Sequence, residues 1–256
     1  MNSSLEMAKN YRSASNRDNI IKLNKNNFSD FCYTNTSNWN NFSKACKENN
    51  IDMSKILLLK DGPMLQNVFY HPSKGVYENI MLDPKYFTMF SVPQRIEMIT
   101  EKINKYYESK DWELYFAFVP DAFKIIEFEN IFPTLDKDEV FDCFKAAYTR
   151  LDYSRGLWNK EMVEDIIKYQ KSKNDQSNEN IITIYRGEGN ESALVDEAFS
   201  WTTNREVAES FADKGFNGVV FEATIKEKDV VFVEDTGEDE VLVLYNDLLT
   251  LDDMPL

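Results

Sequence analysis

The spacing of the hydrophobic residues changes from helical to extended in the last third of the chain. In the middle of the sequence, apolar residues recur three and four positions apart, which is typical of helices that bury one face. Ile96, Ile99 and Ile103 form the first of these stripes. The same spacing predicts two further helices, over about 136–151 and 160–170.

A wholly polar segment, residues 171–180, separates this helical pattern from short β-branched and apolar runs that predict strands. One helix is expected among them, because the sequence at 203–206 has the form of a capping box. Val207, Ala208 and Phe211 would supply the apolar face of that helix. The predicted strands lie at about 181–187, 199–201, 218–225, 230–233 and 241–245.

The N-terminal part of the chain has a less regular pattern. The first 50 residues contain 13 asparagines, and their low hydrophobicity predicts a loose tail over 1–15. Aromatic residues between 28 and 46 predict a packed segment. Short strands are expected at 56–59 and 68–70, around a turn.

The composition and the lengths of the apolar runs exclude several classes of protein. No apolar run approaches the roughly 20 residues that cross a bilayer, and no secretion signal is recognisable, so a cytoplasmic protein without membrane contact is expected. Cys32, Cys46 and Cys143 are widely spaced and odd in number, which predicts reduced thiols. Because the single histidine, His71, reads as a turn residue, catalysis would depend on carboxylates, hydroxyls and arginines, with no metal.

Negative charge is concentrated at the C-terminal end. Residues 180–256 contain 18 Asp or Glu and 5 Lys or Arg, so they carry −13 of the net charge of −15. Such a field repels the phosphates of nucleic acids and attracts basic proteins. A solvated acidic surface that keeps the protein soluble would also explain most of these charges.

Three short motifs follow one another at even intervals within this acidic region. They are Tyr185-Arg186-Gly187, Ser200-Trp201-Thr202 and Glu238-Asp239-Glu240. Each motif alone is common, but their order and strand context resemble the R-S-E class of mono-ADP-ribosyltransferases, which includes many bacterial and phage toxins and effectors. In that family an arginine ends one strand, a Ser-Thr-Ser type motif lies on another, and a Glu-x-Glu pair opens a later strand after a substrate-recognition loop.

The resemblance implies an α+β fold, in which a helical N-terminal part precedes a mixed β-sandwich core. The ADP-ribosyltransferase-like domain would span 93–256, with helices over about 95–172 and a strand-rich NAD site over 180–256. Residues 1–92 carry no resemblance and have no assigned role. NAD is implied as a co-substrate, without a metal.

The family's NAD contacts can be carried over to this sequence. By the resemblance, Arg186 grips the pyrophosphate, since a guanidinium offers a planar fork of donors and stays charged at physiological pH. Gly187 lacks a β-carbon, so its backbone can approach the nicotinamide amide. Tyr185, Thr202 and Phe211 are the further residues implied to contact NAD.

Loss of nicotinamide leaves positive charge on the ribose, and a nearby carboxylate stabilises that charge. By the resemblance, Glu240 has this role, Ser200 positions Glu240 and touches the ribose, and Glu238 orients or deprotonates the incoming nucleophile. An extended strand would place Glu238 and Glu240 on one face and Asp239 on the other. Carboxylates this close are expected to raise the pKa of at least one of them.

Two glutamates in the last motif imply that arginine of a protein is the acceptor. RNA or DNA is a second candidate acceptor, which the acidic charge disfavours, and water as acceptor would make the protein an NAD glycohydrolase. The family also implies an intracellular toxin or effector, such as one of a toxin–antitoxin or phage system, with an antitoxin or another basic protein as partner. An alternative from a different class is a non-catalytic acidic interaction module. The loop at 234–237 would recognise the target, but its short acidic sequence does not identify one.

Overall fold

The structure, a computed structural model, divides the chain into two compact units, Asn16–Glu127 and Phe128–Leu256. It describes residues 20–32, 34–61, 65–70, 77–149, 151, 158–189, 192–214, 218–233 and 237–254. The predicted tail at 1–15, His71 and most of the predicted recognition loop, residues 234–236, lie outside the described residues.

The first unit combines helices with a four-stranded antiparallel sheet in the spatial order β1-β2-β3-β4. Its strands are β1 (Ile20–Lys22), β2 (Ile56–Asp61), β3 (Leu65–Tyr70) and β4 (Glu78–Asn79). Its helices are α1 (Phe28–Phe31), α2 (Trp39–Glu48), α3 (Lys85–Met89), α4 (Val92–Ser109), α5 (Trp112–Ala117) and α6 (Asp121–Ile131), the last of which ends in the second unit. The hairpin of β2 and β3 and the helix α4 confirm the sequence predictions for these segments.

The core of the first unit is aromatic. Phe42 is fully buried and its ring lies 5.4 Å from that of Phe28 and 5.7 Å from that of Phe87. The predicted packed segment at 28–46 is therefore present, as α1 and α2. Cys46 lies in the same core, and burial raises the pKa of its thiol to about 12. All three cysteines are free, as predicted.

The boundary between the units falls between residues 127 and 128, whereas the sequence placed it between 92 and 93. Buried polar contacts attach the helices that begin between residues 92 and 127 to the rest of the first unit. Arg95 pairs with the buried carboxylate of Glu78 at 2.6 Å. The hydroxyl of Tyr77 donates to the buried carboxylate of Glu127 at 3.0 Å. These links join residues far apart in sequence, and a pattern along the chain does not reveal them.

The second unit contains three described helices and a six-stranded antiparallel sheet in the order β10-β7-β5-β6-β9-β8. Its helices are α7 (Val140–Tyr148), α8 (Lys160–Lys171) and α9 (Arg205–Lys214). Its strands are β5 (Ile181–Glu188), β6 (Ser200–Thr202), β7 (Val219–Lys226), β8 (Val231–Phe232), β9 (Glu240–Leu242) and β10 (Thr250–Met254). The mixture of helices and antiparallel sheets confirms the α+β class, and β10 is an element that the sequence did not predict.

The six-stranded sheet consists of two halves with a narrow connection. Strand β5 pairs with β7 along all eight of its residues, but it pairs with β6 in one register position, Tyr185 with Thr202. On one side of this connection lie β10, β7 and β5, and on the other lie β6, β9 and β8. The buried side chains of Ile184, Trp201 and Val241 belong to one cluster that spans both halves.

Helix α9 packs on the sheet through small residues. Ala208 and Ala212 are fully buried, whereas Phe211 is 42% exposed, so the predicted apolar face was wrong in its inclusion of Phe211. The capping residue also differs from the prediction. The side chain of Asn204, and not that of Thr203, accepts a hydrogen bond from the backbone N–H of Glu206 at 3.0 Å.

Within the described part of the chain, no helix combines the length and the apolar character that a membrane span requires.

Candidate active site

The structure connects one residue from each of the three sequence motifs. The hydroxyl of Ser200 donates to Oε1 of Glu240 at 2.6 Å. Nη1 of Arg186 donates to the main-chain carbonyl of the same serine at 2.8 Å. Ser200 therefore joins Arg186 and Glu240, which come from β5 and β9 and lie 54 positions apart in the sequence.

The carboxyl of Glu240 is held in a buried position. Glu240 opens β9 opposite Thr202, and it is 9% exposed. Burial raises its pKa, the hydrogen bond from Ser200 lowers it, and the negative charge of Glu238 raises it further. The pKa of one carboxyl of the pair, that of Glu240, is therefore raised as expected, although burial and not the charge of Glu238 is the largest cause.

The backbone between the two glutamates is not extended, which corrects the prediction of a strand through the whole motif. Asp239 has a φ of +50°, in the left-handed region that breaks the alternation of side chains along a strand. As a result, Glu240 is buried and Glu238 is exposed. The two carboxyls remain close enough for the charge of Glu238 to affect the pKa of Glu240.

Thr202 fixes the segment that carries Glu238. Its hydroxyl donates to the main-chain carbonyl of Glu238 at 2.7 Å and accepts from the backbone N–H of Asn204 at 3.0 Å. Asn204 in turn donates from Nδ2 to the carboxylate of Asp239 at 3.3 Å. The second motif thus supports the third through both of its hydroxyl residues, Ser200 and Thr202.

Arg186 occupies the opening between β5 and β6, beyond their single register pair. Its second terminal nitrogen, Nη2, donates to the carbonyl of Ala193 at 2.9 Å. Its Nε is buried and has no hydrogen-bond partner among the described residues. Burial lowers the pKa of Arg186, and the neighbouring Glu188 opposes that effect. The guanidinium therefore holds main chain in place with two donors and has an unpaired N–H.

Tyr185 and Gly187 lie on the other face of β5, against helix α9. The ring of Tyr185 packs on Ala208 and Ala212. A β-carbon on Gly187 would lie 1.9 Å from the carbonyl oxygen of Ala208. The close packing of β5 on α9 therefore explains why residue 187 is a glycine, independently of any further role of its backbone.

Phe211 lines an open groove of about 260 Å³. Glu238 lines the same groove, together with Asn204 and residues of helix α9. The structure thus connects Arg186, Ser200 and Glu240 in one set, bonds Thr202 to the main chain of Glu238, places Tyr185 and Gly187 against α9, and places Phe211 and Glu238 on the groove.

Two residues that the sequence did not select lie beside the connected set. Glu188 interacts electrostatically with Arg186, and burial raises its pKa. Tyr148, at the end of α7, interacts with the charges of both Glu240 and Arg186. In the sequence, Tyr148 is one of several apolar positions of a helical stripe, so no pattern distinguishes it. Glu188 follows directly on Tyr185-Arg186-Gly187, and that adjacency was the available signal.

Among the described residues, no group of histidine, cysteine and carboxylate side chains is arranged to hold a metal ion. A comparison of the chain with models of protein families, with curated proteins and with solved structures finds no match.

Proposed function

We propose that this protein is an NAD-dependent mono-ADP-ribosyltransferase, which cleaves the bond between nicotinamide and ribose and transfers ADP-ribose to an acceptor. The observation that carries the proposal is the connected set of Arg186, Ser200 and Glu240. Three residues chosen from separate motifs, for one reaction, come together through hydrogen bonds of 2.6 and 2.8 Å.

The chemistry assigned to Glu240 agrees with its surroundings. A carboxylate stabilises the cationic ribose best where water is excluded, because the effective dielectric constant is low there. Glu240 is buried, and Ser200 donates to its carboxylate and so favours the ionised form. Glu240 would stabilise the developing cation, and Ser200 would position Glu240.

The architecture of the second unit also supports the proposal. A mixed β-sandwich, the core that the resemblance implies, needs a sheet that divides into two parts. The two halves of the six-stranded sheet join at Tyr185 and Thr202, immediately before Arg186. The elements that carry the three motifs therefore lie where the two halves of the sheet join.

The hydrogen bonds of Arg186 leave part of its guanidinium for the proposed contact with NAD. One N–H of each terminal nitrogen donates to a carbonyl, and of the five N–H groups of a guanidinium this leaves the unpaired Nε–H and one N–H on each terminal nitrogen. These donors and the positive charge suit a phosphate. The hydrogen bond from Nη1 fits a role of the guanidinium in keeping Ser200 in place.

Protein arginine is the acceptor that we propose. Glu238 is exposed, lines the open groove, and is separated from Glu240 by one residue, so a nucleophile in the groove can approach the reacting ribose. A guanidinium is cationic, and the net charge of −13 over residues 180–256 attracts it. A role as an intracellular toxin or effector, with a basic protein such as an antitoxin as partner, completes the proposal.

Incubation with labelled NAD and an arginine-containing peptide tests the activity. We expect the wild-type protein to release nicotinamide and label the peptide, and Glu240→Gln to lower kcat by about 100-fold or more, the usual effect of removing a transition-state charge contact. Glu164→Gln is the matched control, because Glu164 is a helical carboxylate paired with Lys168 at 3.0 Å and remote in sequence from the motifs.

The products of the same experiment separate the alternatives. Free ADP-ribose without labelled peptide would show a glycohydrolase, and an adduct on RNA or DNA from a cell lysate, detected by mass spectrometry, would show a nucleic-acid acceptor. If wild type and Glu240→Gln both leave NAD intact, the enzyme proposal fails and the acidic interaction module remains.

A further inference from the structure

Two parts of the chain that carry carboxylates line the open groove of the candidate active site. Helix α9 contributes Glu206 and Phe211 to the lining, and the turn before β9 contributes Glu238. Both glutamates are exposed. The position of Glu238 relative to Glu206 therefore depends on how this turn is held against the helix.

The backbone of the turn is not one that holds itself in place. Gly237 has a φ of +69° and Asp239 a φ of +50°, so a residue of left-handed backbone stands on each side of Glu238. This conformation is unfavourable for an aspartate, and it persists only where the surrounding structure fixes it. The contacts that the turn makes with the rest of the chain therefore determine where Glu238 points.

The end of β6 supplies two of these contacts, and both are made to main chain. The hydroxyl of Thr202 donates to the carbonyl of Glu238 at 2.7 Å. The backbone N–H of Thr203 donates to the carbonyl of Asp239 at 3.1 Å. Two successive carbonyls of the turn are thus tied to two successive residues of the chain that leads into α9.

Asn204 joins the turn to helix α9 through both ends of its side-chain amide. Its Oδ1 accepts from the backbone N–H of Glu206 at 3.0 Å, and its Nδ2 donates to the carboxylate of Asp239 at 3.3 Å. The backbone N–H of Asn204 donates to the hydroxyl of Thr202 at 3.0 Å, which fixes the residue itself. Asn204 also lines the groove. One side chain therefore connects the two parts of the chain that carry the carboxylates of the groove.

We propose that Asn204 is a positioning residue for the acceptor, which fixes the placement of Glu206 and Glu238 along the groove and thereby the fit of an arginine side chain. This inference rests on the proposed function, in which the nucleophile enters the groove. A guanidinium is planar and binds carboxylates through donors of fixed direction. Its affinity therefore depends on where the two carboxylates lie, and Asn204 acts through them.

Asn204→Ser tests the inference, because serine caps a helix about as well as asparagine, but its short side chain lacks the amide donor to Asp239. We expect the KM for the arginine-containing peptide to rise about fivefold, the effect of one lost hydrogen bond. The KM for NAD should stay at the wild-type value, since Arg186 and Glu240 keep their hydrogen bonds to Ser200. The midpoint of urea unfolding should also stay, because the cap is kept.

Asn204→Asp separates position from charge. Aspartate also caps helices, but it replaces the donor to Asp239 with a second carboxylate, and like charges repel. The added negative charge would by itself attract a cationic peptide and lower its KM. A rise in the KM for the peptide would therefore come from displacement of the turn, and a fall would overturn the inference.

Asn38→Ser is the matched control, since Asn38 caps helix α2 of the first unit by accepting from the backbone N–H of Asn41 at 3.0 Å. Equal KM values for the peptide in Asn204→Ser, Asn38→Ser and an active wild type would overturn the inference and leave the proposed function intact. If the KM for NAD rises in parallel and the unfolding midpoint falls, Asn204 has only a role in stability and the inference fails. A wild-type protein that labels no peptide would overturn the proposed acceptor, and the inference with it.

Discussion

At the scale of single residues, Ser200 favours the ionised form of Glu240. Its hydrogen bond lowers the pKa of Glu240, against the effects of burial and of Glu238. Ser200→Ala removes that bond, so the pKa of Glu240 should rise and the ionised form should be lost at a higher pH. We expect the acid limb of kcat for nicotinamide release to move to higher pH, and kcat on the plateau to fall about 10- to 100-fold.

Ser172→Ala is the control for this measurement, since its hydroxyl donates to the carbonyl of Tyr169 on an exposed helix end. A profile of Ser200→Ala in which the acid limb stays at the wild-type pH would show that Glu240 is not the group that titrates.

Gly187 leads to a prediction about stability. A methyl group at this position would meet the carbonyl oxygen of Ala208 at 1.9 Å, and that atom belongs to the backbone of helix α9. Because backbone cannot move aside as a side chain can, Gly187→Ala should lower the free energy of unfolding by about 1–3 kcal/mol or more. Urea denaturation followed by circular dichroism measures this change.

Gly237 offers a contrasting glycine for the same measurement. Its φ is +69° and a β-carbon there would meet nothing within 4 Å. Asparagine tolerates this backbone conformation, so Gly237→Asn should change the free energy of unfolding by no more than about 0.5 kcal/mol. Equal losses in the two variants would contradict the steric explanation for Gly187.

The resemblance, carried by residue type and order, selected Arg186, Ser200 and Glu240, and the structure connects these three residues by hydrogen bonds. Residue type and order did not place Glu238, since the left-handed backbone of Asp239 is a property of the turn and no residue type in the motif requires it. They also did not select Tyr148, whose position depends on where the end of α7 packs.

At the scale of elements, the start of helix α9 distinguishes two polar residues that are adjacent in the sequence. Asn204 caps the helix, and Thr203 is exposed and makes no side-chain hydrogen bond to the helix in the structure. Asn204→Ala should therefore lower the free energy of unfolding by about 0.5–2 kcal/mol. Thr203→Ala should change it by about 0.5 kcal/mol or less, and the opposite order in urea denaturation would restore Thr203 as the cap.

Elements with one continuous apolar stripe were predicted well, as α4, α8 and β5 show. Helix α6 was not predicted, because it buries Lys124, Glu127 and Glu129 along with its apolar residues and therefore has no distinct polar face. Strand β10 was also missed, since its Asp252 and Asp253 give no apolar alternation. Its pairing with β7 stabilises β10 as a strand, although its own sequence does not favour one.

At the scale of the whole molecule, the uneven charge predicts how the choice of acceptor depends on salt. Residues 180–256 carry −13, so a basic peptide is attracted and an acidic one is repelled. The screening length falls from about 30 Å at 0.01 M salt to about 8 Å at 0.15 M. At saturating NAD, labelling of a basic peptide should therefore slow about tenfold over this range, and labelling of an acidic peptide should not.

Hydrolysis of NAD by water is the internal control, because water carries no charge. If salt slows hydrolysis as much as it slows peptide labelling, the effect does not come from attraction of the acceptor.

The narrow connection between β5 and β6 has a consequence for local opening of the second unit. Long ladders resist opening, whereas a ladder with one register pair depends on the side chains that bridge it. Here Arg186, bonded to Ser200 and Ala193, bridges the two halves together with the buried cluster of Ile184, Trp201 and Val241. Amide hydrogens of β6 and β9 should therefore exchange with solvent more readily than those of β5 and β7. If Arg186 binds the phosphate as proposed, the same side chain contacts the substrate and limits local separation of the two halves of the sheet, so a bound substrate should slow the exchange of these amide hydrogens.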